Sequence, residues 1–134
     1  MAKSSGSLDA NVLVRLIIRD LPEQSDQALK LIAQGERFHV ADTALIELIF
    51  ALERYYEIPR NEVSKIIEAI LGNSKLVLNR ALFEYSIELY VRHPKLSIED
   101  CCLAVYAKLN DATPLWTFDL KLAKQSGGLA KVVP

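Results

Sequence analysis

The chain has 134 residues, 51% of them apolar and 25% charged, with a formal charge of −1. That is enough chain to bury a core without staples, and it is too apolar to remain disordered, so a single domain over residues 1–134 is expected. With 16 basic residues against 17 acidic ones and no basic tract, bulk electrostatics announce no nucleic-acid partner. Such a partner would need locally placed lysines and arginines or a bound cation.

The only cysteines, Cys101 and Cys102, are adjacent. They cannot staple distant segments and lack metal-ligand spacing, so they read as reduced, near-core residues of a cytoplasmic protein. No apolar run reaches the eighteen or so residues that span a bilayer, so no membrane partner is expected. The polar start, residues 1–6, lacks a signal peptide's apolar segment and reads as a flexible leader.

In chain order, Gly6 to Leu8 reads as the end of a short buried strand, followed by Asp9 and a helix carrying Val12, Leu13, Leu16 and Ile17. Pro22 suits the first turn of a second helix, which should stop at Gly35. Phe38 to Ala41 is a short strand, and strand–helices–strand favours a parallel pair. Asp42 or Thr43 can cap the next helix, whose run from Ala44 to Leu52 holds Glu47 as its one polar residue. A helix apolar all round is expected to be buried, and a carboxylate buried there needs a cation. The plainer reading puts Glu47 at a helix edge or pairs it with an arginine.

Pro59 opens another helix with Val63, Ile66, Ile67, Ile70 and Leu71 on one face, stopped at Gly72. Lys75 to Leu78 is a strand, and Asn79 can cap the helix that ends near His93. Neither His39 nor His93 has a second histidine at ligand spacing. Ser97 and Asp100 fit a capping box, opening an apolar helix through Cys101 and Ala107. Pro114 to Phe118 reads as a strand, Asp119 ends it, and a short helix follows to Lys124. The arrangement at Asp9, strand then acid then helix, is thereby repeated. Lys131 to Val133 is a last strand.

Taken singly, Asp9 and Asp100 read equally well as helix caps. Taken together, Asp9, Glu47, Asp100 and Asp119 can share the rim formed by the carboxyl ends of parallel strands. Four carboxylates on one rim repel one another unless cations neutralise them. Oxygen ligands alone suit magnesium or manganese, and such ions activate water and stabilise a leaving oxygen in phosphodiester hydrolysis. Asn11 and Thr117 stand near enough in sequence to orient these carboxylates or a water.

The motifs Leu8-Asp9-Ala10-Asn11-Val12-Leu13, Thr43-Ala44-Leu45-Ile46-Glu47-Leu48, Ser97-Ile98-Glu99-Asp100-Cys101 and Thr117-Phe118-Asp119, in this order, resemble a PIN domain. The nearest likeness is to the VapC-type toxins of toxin–antitoxin pairs, and it covers nearly the whole chain. Ala10 departs from the family's usual Thr or Ser, and Cys101-Cys102 replaces small or apolar residues. The resemblance implies an α/β fold, a three-layer α/β/α sandwich around a central, mostly parallel sheet of about five short strands. It implies a magnesium- or manganese-dependent endoribonuclease with Asp9, Glu47, Asp100 and Asp119 as catalytic and metal-binding residues, flanked by Asn11 and Thr117. It also implies an RNA substrate, a homodimer and a cognate antitoxin protein seated in a groove.

Leu16, Ile17 and Leu48 are candidates for that groove, and Arg15, Arg19, Lys108, Lys121 and Lys124 for RNA phosphates. The alternative function is a catalytically silent PIN-like interaction module. A receiver-type signalling domain is disfavoured, because its middle strand should end in an acid and Leu76-Val77-Leu78-Asn79 ends in an amide.

Overall fold

The structure, a computed structural model, describes residues 2–134. It is a mixed α/β fold in which every paired strand runs parallel to its neighbour. The described residues form two compact units, the first ending at Asn79 and the second running from Arg80 to Pro134. No described helix is long and apolar enough to cross a membrane.

In the first unit the order is β1 (Ser4–Ser7), α1 (Ala10–Ile17), α2 (Pro22–Gln34), β2 (Arg37–His39), α3 (Asp42–Phe50), a π-helical segment (Ala51–Tyr55), α4 (Arg60–Leu71) and β3 (Leu76–Val77). The strands form one sheet in the order β1-β2-β3. Its register sets Phe38 beside Leu76 and Ser7 beside His39. Parallel neighbours need a crossover, and the helices between the strands supply it.

β1 corrects two expectations. Ser4 to Gly6 are a strand and not a flexible leader, and every residue of β1 is exposed, so the strand is not buried. Hydrogen bonds explain why so polar a stretch is held. Ser5 Oγ accepts from the Glu36 backbone N–H at 2.8 Å, and the Lys3 N–H donates to Glu36 Oε2 at 2.5 Å. Met1, the leader's first residue, lies outside the described residues.

Local signals fix the helices. Pro22 occupies the first turn of α2, where a missing N–H costs nothing. The Ser25 hydroxyl, fully buried, donates to the Ile18 carbonyl at 3.2 Å and ties α2 to the end of α1. At the other end of α2, Lys75 Nζ donates to the carbonyls of Ile32 (2.8 Å) and Gly35 (3.0 Å). A cation there satisfies carbonyls that the helix leaves open and complements its dipole. Gly35 is required by packing, since a methyl at its Cα would enter the Phe38 ring.

Neither Asp42 nor Thr43 caps α3. Ala41 holds the cap position and no side chain bonds there. Ala44, Leu45, Leu48, Ile49 and Leu52 are the buried face of α3 and its π-helical extension. The wide turn ends with the Tyr56 N–H bonded to the Ala51 carbonyl at 3.1 Å. Pro59 precedes α4 and Gly72 ends it.

The second unit runs α5 (Arg80–Arg92), α6 (Ile98–Leu109), β4 (Leu115–Thr117), α7 (Leu120–Gln125) and β5 (Ala130–Val132). β4 and β5 form their own parallel pair, so the main sheet has three strands and not the expected five. α5 and α6 pack on one another, and the core includes Phe83, Ile87, Tyr90, Ile98, Cys101 and Val105. Both cysteines are buried. His93 Nδ1 and Gln125 Oε1 lie 3.0 Å apart, giving this histidine a bonded place in the unit.

Candidate functional site

Asp9 stands between β1 and α1. Its Oδ1 accepts the Val12 backbone N–H at 3.0 Å, so Asp9 is the cap of α1. Asp119 repeats the arrangement between β4 and α7, with Oδ1 accepting from the N–H groups of Lys121 (2.9 Å) and Leu122 (3.1 Å). Asp100 forms the capping box with Ser97. Its N–H donates to Ser97 Oγ at 3.1 Å, and its Oδ2 accepts from the Ser97 N–H at 3.3 Å.

A cap uses one carboxylate oxygen and leaves the other. Among the described residues, Asp9 Oδ2, Asp119 Oδ2 and Asp100 Oδ1 accept no hydrogen bond. The capping reading and the metal-binding reading are therefore compatible at all three positions. Asp9 and Asp119 are exposed and Asp100 is half-buried.

Glu47 departs from its expected burial. It is exposed on α3 and has no hydrogen bond or ion pair among the described residues. Its neighbours at helical spacing are buried, so the chain keeps the charge in water and the apolar face inside. Further along the chain, the Arg54 guanidinium lies 4.3 Å over the Phe50 ring.

The four acids divide two and two. Asp9 and Glu47 belong to the first unit, following the carboxyl ends of the adjacent parallel strands β1 and β2. Asp100 and Asp119 belong to the second, on α6 and at the end of β4, two elements that pack together. Within neither unit do three or more His, Cys, Asp or Glu side chains gather as a metal site, among the described residues.

Asn11 and Thr117 have distinct settings. Asn11 is exposed and joins Asp9, Val12, Arg15, Gln24 and Gln27 around a cleft of about 330 Å³. Thr117 Oγ1 accepts the Asp119 N–H at 2.9 Å, so it fixes the backbone from which that carboxylate springs.

Arg15 is held in a network that the sequence does not signal, because Tyr56, which completes it, lies 41 residues further along the chain. Arg15 donates to Asp20 Oδ1 at 2.5 Å and to the Tyr56 oxygen at 3.1 Å, and the Tyr56 hydroxyl donates to Asp20 Oδ2 at 2.9 Å. Desolvation opposes the charge on Arg15, but the Tyr56 hydrogen bond and the Asp20 carboxylate outweigh it and raise its pKa. Desolvation and the hydrogen bond to Asp20 also raise the Tyr56 phenol above its ordinary value. Arg19 is paired with Asp26 at 2.9 Å, and Lys108 Nζ lies 5.9 Å from the Tyr85 ring centre.

Leu16 and Ile17, with Leu29, Ile32, Ile66 and Ile70, line an apolar groove of about 380 Å³ formed by α1, α2 and α4. Leu48, expected beside them, is fully buried core and absent from the groove. Residues 7–127 match a family model described as the PIN domain, a span that contains all four acids. No curated protein matches the chain significantly.

Proposed function

The chain belongs to the PIN-domain family, and on that footing we propose that it is a metal-dependent endoribonuclease, the VapC-type toxin of a toxin–antitoxin pair. The observation that carries the reading is the state of the acids. Three are oriented by helix-terminal N–H groups with one oxygen left over, and the fourth, Glu47, is unpartnered in water.

Hard, oxygen-only donors fit magnesium or manganese. When bound, such an ion lowers the pKa of water and stabilises the leaving oxygen of a phosphodiester. The residues that would hold the ion are Asp9 and Glu47 of the first unit and Asp100 and Asp119 of the second, while Thr117 steadies the Asp119 backbone and Asn11 borders the cleft at Asp9. The apolar groove of α1, α2 and α4 supports an antitoxin segment as its occupant, with Leu16 and Ile17 as contacts. A homodimer and a cytoplasmic setting complete the proposal.

Asp9→Asn is the direct test, because asparagine caps a helix about as well as aspartate. Cleavage of single-stranded RNA in magnesium is expected to fall at least a hundredfold, with the thermal midpoint almost unchanged, and excess EDTA should stop the wild type. Full cleavage by the variant or in EDTA would overturn the reading. A folded wild type with no nuclease activity that still bound an apolar helical peptide in the groove would favour the interaction module instead.

A further inference from the structure

Pro114 to Phe118 reads from sequence as a strand, and in the structure Trp116 on β4 and Phe118 just after it are exposed. Leu115 and Thr117 are half-buried, whereas Trp116 is 55% exposed, Phe118 82% and Leu120 72%. Scattered exposed apolar residues are ordinary. Here three large ones fall within five residues and flank the exposed Asp119. The parallel register pairs Trp116 with Lys131 on β5, so an exposed lysine stands on the same face as the indole.

We propose that Trp116 and Phe118 form a stacking platform for bases of single-stranded RNA beside Asp119, with Lys131 meeting a phosphate. The inference rests on the nuclease reading for its substrate, and on this exposed face for everything else. Aromatic rings accept any base on their π-face, and a nearby cation tracks the backbone. Stacked bases leave the strand's phosphates in solvent.

Trp116 is the only tryptophan in the chain, so its emission reports on this face alone. The experiment titrates the full-length Asp9→Asn variant with a short unstructured RNA oligonucleotide. Saturable quenching of Trp116 emission is expected. Phe118→Ala in the same background should weaken binding about 5- to 150-fold, at about 1–3 kcal/mol per stacked base, while Phe118→Tyr should retain it. Far-ultraviolet circular dichroism and the melting midpoint should be the same for all variants, because Phe118 is exposed.

Unchanged emission and wild-type affinity in Phe118→Ala, with the wild type cleaving the same RNA, would overturn the platform and leave the nuclease standing. Quenching by RNA that the wild type never cleaves in magnesium would support the platform and remove the nuclease. Should Trp116→Ala instead convert a sedimenting dimer to a monomer with RNA affinity unchanged, the face is a contact between copies and the proposal fails.

Discussion

At Tyr56 a phenol sits between opposite charges, donating to Asp20 and accepting from Arg15. Because its folded pKa lies above the ordinary value of 10.0, the proton is bound more tightly in the folded chain than in the unfolded one. The resulting stability is fully present below about pH 10 and is lost as pH rises through the raised value. Tyr56→Phe should therefore be less stable than wild type at pH 7, by about 1–3 kcal/mol for the two hydrogen bonds that its hydroxyl makes. Urea midpoints measured upward from pH 7 should show that gap closing only above pH 10. A gap that closes near neutrality would contradict the network.

α2 shows how an element's ends are decided by single residues. Its start is legible in Pro22 and its stop in Gly35, but the reason for the glycine is not the usual freedom of backbone angle. Gly35 lies where a side chain would enter the ring of Phe38, itself 1% exposed. Gly35→Ala is expected to cost about 1–3 kcal/mol, the range for overpacking a core. Gly72 is the internal control. Its backbone is in the right-handed helical region, and a methyl there meets nothing closer than the Glu68 carbonyl at 3.5 Å. Gly72→Ala should be neutral or stabilising by about 0.4–1 kcal/mol through the unfolded chain. The two substitutions, compared by chemical denaturation, should move the midpoint in different directions.

Most helix boundaries were readable for the same local reasons, through Pro22, Pro59, Gly72 and the Ser97–Asp100 box. The sheet was less legible, because strands of two to four residues carry too little alternation to tell one sheet of five from a three and a two. The length of its apolar run points Glu47 inward, whereas the period of that run points it outward. Ala44, Leu45, Leu48, Ile49 and Leu52 already lie on one helical face, with Glu47 opposite. The exposure of Trp116 and Phe118 could not be read at all, since aromatic identity ordinarily signals burial.

For the molecule as a whole, 16 basic and 17 acidic residues leave no general pull on a polyanion. The RNA binding proposed for it should therefore depend on salt only as far as a few placed cations allow. The logarithm of affinity against the logarithm of salt is expected to have a slope of about −1 to −2, at roughly 0.7 per phosphate on a single strand. A slope steeper than about −4 in a binding titration would point to a basic surface that the composition does not support.

The capped carboxylates carry one more consequence, about rotational freedom. A lone aspartate that binds an ion must first surrender the torsions of its side chain, and that loss recurs with every binding event. At Asp9, Asp100 and Asp119 the helix amides hold one oxygen from the moment the helix forms. The ordering that a ligand would otherwise impose has been completed during folding.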